Sequence, residues 1–207
     1  MSRFAYYEEM KTLARQVRSD HGLCTPRVLR SDMRRIYKHF GIRIDLWPHK
    51  LSRLRGAYFF DDLGATVMLV RGLPADPTIF TMGHELKHHL VDRKAGLSYC
   101  DASNENEPIE IGAEIFAAEL IFPEQDFIDR LTQMGVTKGS CTPEMLVRLK
   151  RETSTTLSYA GISKRAQFLG FAKPESLANV HWKKLEEELF GEPLYKRILR
   201  RRSEKGV

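Results

Sequence analysis

Phe80-Thr81-Met82-Gly83-His84-Glu85-Leu86-Lys87-His88-His89-Leu90 is the stretch on which the reading of this chain turns. Positions i and i+4 of an α-helix differ by about 40° in azimuth and about 6 Å in rise. His84 and His88 therefore project from one face, and their imidazoles can meet a single tetrahedral ion. Glu85 follows the first histidine and leans over the same site, where it can take a proton from an activated water. Ile79, Met82, Leu86 and Leu90 recur at three- and four-residue spacing and form an apolar stripe opposite the histidines. Composition alone produces His-Glu-x-x-His in on the order of one chain in a hundred of this size, so a third ligand is the discriminator.

Such a ligand is available some twenty residues on, in a second helical segment that starts near Glu107-Pro108 and stops before Pro123. Glu110 and Glu114 share one face of it by the same i, i+4 geometry, and Ala113, Ala117 and Ile121 otherwise line that face. Two carboxylates flanked by apolar residues are costly unless they meet a cation or hydrogen-bond donors. One of the pair would ligate zinc while the other accepts the remaining N–H of a ligand histidine. The competing reading is an exposed acidic stripe.

Working outward, Asp76 is a candidate cap for the motif helix, Pro77 fits its first turn, and Gly96 can end it. Tyr6 to Val17 and Arg27 to Phe40 read as amphipathic helices, and Ile42 to Leu46 as a short half-buried strand. Two strand-like runs, 56–60 and 66–70, flank Asp61-Asp62-Leu63-Gly64 and predict a hairpin. Everything after it reads helical, with further segments at Pro143 to Glu152, Leu157 to Leu169 and Leu177 to Leu189. Strands first and helices later predict an α+β fold, a small antiparallel sheet packed on helices with a mostly helical C-terminal part. The expected division is a domain over 1–172 and a C-terminal helix with a basic tail over 173–207.

With 207 residues and a hydrophobic fraction of 42%, the chain can bury a core of its own. No run reaches the roughly 18 apolar residues of a membrane span, and the charged first twenty residues lack a signal-peptide core, which predicts a cytoplasmic address. Cys24, Cys100 and Cys141 are odd in number and far apart, against a disulfide framework or a cysteine knuckle. Part of the net charge of +6 gathers in Lys196, Arg197, Arg200, Arg201, Arg202 and Lys205. That cluster either neutralises phosphates of a nucleic acid or is a solvated, frayed end.

The two motifs together resemble those of the ImmA/IrrE family of metallopeptidases. The first is similar to the family's active-site helix, and Glu110-x-x-Ala113-Glu114-x-Phe116-Ala117-Ala118-Glu119-Leu120-x-x-Pro123 to its second signature. The likeness covers roughly residues 25 to 172. It implies a zincin-like fold, with His84 and His88 as zinc ligands and Glu85 as general base. It implies Glu110 as the third ligand, where the second signature begins with a carboxylate. Four residues later the family usually has Asn or Asp and this chain has Glu114, which leaves Glu114 as a partner of a ligand or an alternative ligand. The resemblance also implies a protein substrate, a helix-turn-helix repressor, and a role in transcription regulation of the kind found in phages and mobile elements.

The expected chemistry is peptide hydrolysis assisted by Zn2+, with Mn2+ or Fe2+ able to occupy the same donors. Tyr99, His89 and Tyr159 are candidates to steady the oxyanion. Two other readings compete. In one, the same fold binds a regulator without cutting it; in the other, the chain associates with nucleic acid through its basic end and the region from Leu146 to Leu169.

Overall fold

A computed structural model describes residues 2–48, 55–93, 97–99, 107–194 and 196–198. The chain packs as two compact units, Met1–Ile128 with Thr153–Ser158, and Asp129–Glu152 with Tyr159–Val207.

The first unit begins with α1 (Arg3–Asp20) and α2 (Arg30–His39), longer and shorter respectively than their apolar periodicities suggest. Three strands follow, β1 (Arg43–Trp47), β2 (Gly56–Asp61) and β3 (Gly64–Val70). The hairpin closes where its turn residues predict, with Asp61 opposite Gly64 and the Asp61 carboxylate accepting from the Leu63 amide at 2.8 Å. Gly64 adopts a φ of 98°, which a side-chain-bearing residue resists.

Two expectations about the sheet need correction. It is mixed rather than antiparallel, because β1 runs parallel to β3, Arg43 to Trp47 pairing with Thr66 to Val70. The chain reverses between β1 and β2 and again between β2 and β3, so the third strand regains the first one's direction and inserts between them. The second correction is β4 (Leu97–Tyr99), which pairs antiparallel with β2 where only helix was expected. Three residues are too few to show a strand period; a partner forty residues away decides their conformation. The strand order is β1-β3-β2-β4, and the α+β class stands.

Helix α3 (Ala75–Val91) carries the histidines, and α4 (Pro108–Ile121) carries Glu110. Asp76 lies within the first turn of α3 rather than capping it; Pro74 holds the cap position, and the Thr78 hydroxyl donates to the Pro74 carbonyl at 2.9 Å. The helix ends at Val91, and Gly96, expected to stop it, lies outside the described residues. So do Cys100, Arg200, Arg201, Arg202 and Lys205.

Small residues let α3 and α4 approach closely. A Cβ on Gly83 would lie 3.2 Å from the Ala117 Cβ and 3.3 Å from its Cα, which is tighter than ordinary side-chain packing. α1 braces the far end of α4. Arg18 donates to the carbonyls of Leu120 and Ile121 at 2.7 and 3.2 Å, satisfying acceptors that a helix C-terminus leaves open. Arg15 pairs with the fully buried Glu119 at 3.0 Å. α2 is anchored through Tyr37, whose hydroxyl donates to the Met82 carbonyl at 2.7 Å. Met33, Ile36, Tyr58, Val67, Leu69, Ile79 and Leu86 are buried between these elements.

α5 (Glu124–Gln133) was not legible as a separate segment. The second unit then carries α6 (Pro143–Thr153), α7 (Tyr159–Phe168), a 3-10 turn over Pro174–Leu177 and α8 (Trp182–Phe190). Leu131, Leu146, Ile162, Ala166 and Phe171 are buried there, and Tyr159 stacks on Trp182 with ring centroids 4.9 Å apart. No helix among the described residues is long and apolar enough to cross a membrane.

The contact at Gly83 makes a stability prediction. Gly83→Val should lower the urea midpoint by the equivalent of about 1–3 kcal/mol through overpacking against Ala117. An unchanged midpoint would mean that α3 and α4 do not meet at this point.

Candidate metal centre

α3 is buried on every side across its middle: each residue from Thr81 to His89 is enclosed. A helix enclosed all round is normally apolar all round. This one instead places three imidazoles, a carboxylate and an ammonium inside the protein, so each needs a partner.

The histidine face meets α4. His84 Nε2 lies 3.2 Å from His88 Nε2 and 3.1 Å from Glu110 Oε2, and His88 Nε2 lies 3.6 Å from the same oxygen. Ligand bonds of about 2.0–2.1 Å in a tetrahedral site place donor atoms about 3.3 Å apart. The three observed separations bracket that value, so the donors fit one ion without rearrangement. His84, His88 and Glu110 form the one such group among the described residues.

The electrostatics follow from this crowding. Burial pushes the Glu110 carboxyl up, but hydrogen bonds from both imidazoles outweigh it and hold the group well below the usual carboxylate range. Burial likewise pushes His88 down, and the carboxylates of Asp92 and Glu110 override it, raising the imidazole to about 9. Glu85 is different. Burial is the largest influence on it and raises its pKa, opposed by His84 and His88. Its Oε2 is buried and has no hydrogen-bond partner. An orphaned oxygen on a carboxylate that feels all three convergent donors electrostatically is suited to engage a water or a polar ligand in the site.

Gly56, at the start of β2, makes room for this group. A Cβ there would lie 2.5 Å from Thr81 Cγ2 and 3.0 Å from Glu85 Oε1. Nothing in the local sequence marks Gly56 as part of the site.

Two further residues escaped the sequence reading. Asp92 Oδ2 lies 2.7 Å from His88 Nδ1, so an aspartate one turn beyond the motif orients this imidazole. The signal was present, since Asp92 stands four residues after His88, the spacing that pairs the histidines themselves. Lys87 is fully buried and donates to the same Asp92 oxygen at 2.6 Å and to the Ile109 carbonyl at 2.8 Å. A lysine between Leu86 and His88 gives no hint of such burial. Glu114 is half-buried and stands outside the convergent trio.

Of the oxyanion candidates, His89 is engaged elsewhere. Its Nδ1 lies 3.1 Å from the Tyr58 hydroxyl, and its ring packs against Tyr58 and Phe40. Tyr159 belongs to the second unit, and the side chain of Tyr99 lies outside the described residues.

Glu85 and Glu110, both buried, should respond oppositely to neutralisation in metal-free protein. Glu110→Gln should cost about 1–3 kcal/mol near neutral pH, because two imidazoles lose a shared charged acceptor. Glu85→Gln should leave thermal stability unchanged or raise it, because it removes a buried charge. The Glu110 pairing contributes fully above about pH 4.3, the value of an unpaired glutamate, and is lost progressively as pH falls from there toward the depressed folded-state value. Its protonated His88 partner is lost as pH rises through about 9. The gap between wild type and Glu110→Gln in thermal melts should therefore be widest between about pH 4.3 and 6.5, narrowing as pH falls below that window and as it rises through about 9; a gap independent of pH would refute the pairing.

Comparison with known proteins fits this geometry. No curated protein matches the chain. Residues 37–158 match a peptidase family model described as the IrrE N-terminal-like domain. That span begins in α2 and includes β1 to β3, α3 and α4, hence all three convergent donors together with Glu85 and Asp92. A buried group of two histidines and a glutamate, within a match to more than half the chain, belongs with a metallopeptidase type of chemistry. The chain is a member of the ImmA/IrrE family.

Proposed function

We propose that this protein is a zinc-dependent endopeptidase in which His84, His88 and Glu110 hold the ion and Glu85 moves the proton. The observation that carries the reading is the buried, orphaned Glu85 Oε2, on the residue next to the donor His84 and in electrostatic contact with all three donors. A structural zinc is closed by four protein ligands and needs no general base, whereas a catalytic one keeps three and an open position. Two imidazoles and one carboxylate suit zinc, and Mn2+ or Fe2+ are the competitors. When bound, the ion supplies Lewis-acid polarisation of a peptide carbonyl and eases deprotonation of water.

The chain's own residues do the rest. Glu85, whose burial raises its proton affinity, takes a proton from the attacking water and returns it to the leaving amine. Asp92 holds the Nδ1 side of the His88 ring and leaves Nε2 directed toward His84 and Glu110. Gly56 keeps the space beside Glu85 clear of side-chain atoms. For the substrate we propose a helix-turn-helix transcriptional repressor or a related regulatory protein; the support is the family resemblance of the two helical motifs.

Metal analysis of purified protein, paired with cleavage of a candidate repressor, tests this. The expected result is about one zinc per chain. Glu85→Gln should keep the metal and lose about 10²–10⁴-fold in rate. Equal cleavage by Glu85→Gln would remove the proposed base. Activity should also fall on acidification, because protons compete with the ion for imidazole nitrogens. A rate that holds steady well below the histidine range would count against histidine ligation.

A further inference from the structure

Lysine is almost never fully enclosed unless it is paired, and Lys87 is fully enclosed one residue from a proposed ligand. Its ammonium makes two contacts with different consequences. One is to Asp92 Oδ2, at 2.6 Å, the same oxygen that lies 2.7 Å from His88 Nδ1. The other is to the carbonyl of Ile109, at 2.8 Å, the residue immediately before Glu110. The Tyr6 ring of α1 lies beneath the ammonium, 5.7 Å from its centroid. Tyr6 also fills the space against Gly112, where a Cβ would lie 2.7 Å from the ring.

We infer that Lys87 is a positioning residue for the metal centre, bridging the carboxylate that orients His88 to the backbone that presents Glu110. The inference rests on the reading of His84, His88 and Glu110 as ligands. An aspartate oxygen shared between an ammonium and an imidazole has little freedom to swing, so the His88 ring is held in one orientation. The Ile109 contact ties α3 to the first turn of α4, where the glutamate leaves the helix. One cation thus couples two donors that lie 22 residues apart in sequence, counted from His88 to Glu110. An ordinary buried ion pair would stabilise the fold without this coupling.

The test is a double-mutant cycle on Zn2+ and Co2+ affinity, read by competition with a chromogenic chelator on the full chain. Lys87→Met and Asp92→Asn should each weaken metal binding about 10–100-fold. The double variant should be little weaker than either single one, because Lys87 acts largely through Asp92. Lys87→Gln, whose amide can donate to both acceptors without charge, is the second variant and should fall between wild type and Lys87→Met. A folded Lys87→Met or Lys87→Gln that binds both metals as tightly as wild type overturns the inference. Fully additive losses overturn the route through Asp92. If both Lys87 variants fail to fold, the residue is structural and the inference falls. A wild-type chain that binds neither ion removes the metal-centre reading itself, an outcome distinct from the others.

Discussion

A carboxylate, two imidazoles and an ammonium are buried where α3 meets α4, a second carboxylate, Glu85, is buried against β2, and the rest of the first unit is arranged around that constraint. Taking such charges out of water costs several kcal/mol each unless partners replace the lost hydration. Glu110 is answered by His84 and His88, and Lys87 by Asp92 and a backbone carbonyl. Glu85 alone keeps an oxygen unanswered. The local imbalance falls on the group to which proton transfer is assigned, as expected where a site trades stability for reactivity.

Geometry decides whether these partners can meet. Donor separations near 3 Å between two helices require close backbones, and Gly83 against Ala117 supplies that approach. Bulkier residues there would hold α4 away and leave Glu110 short of the imidazoles. The braces from α1, Arg18 on the last carbonyls of α4 and Arg15 on Glu119, resist the same separation from the opposite end. Gly56 plays the corresponding part on the sheet side, where β2 passes Thr81 and Glu85. The sheet therefore acts as a wall of the site as well as part of the core.

Asp92 and Lys87 show how one contact network serves two ends. The aspartate closes the C-terminus of α3, its amide bonded to the His88 carbonyl at 2.9 Å, while its side chain reaches back to the His88 ring. A residue that ends the helix thereby orients a donor within it. The ammonium of Lys87 keeps that carboxylate from being a lone buried anion.

Some of this was legible from residue order alone. Helical spacing put His84 and His88 on one face, and local turn chemistry marked the hairpin at Asp61 to Gly64; both depend on neighbours within a few residues. Glu110 could be named as a candidate because an acid amid alanines and isoleucines is expensive without a partner. What residue order could not decide was anything set by distant partners: the parallel pairing of β1, the existence of β4 and the enclosure of Lys87. The reason is physical. Burial and cross-strand pairing are properties of the packed chain, so a lysine or a three-residue strand acquires its role only when elements far apart in sequence close around it.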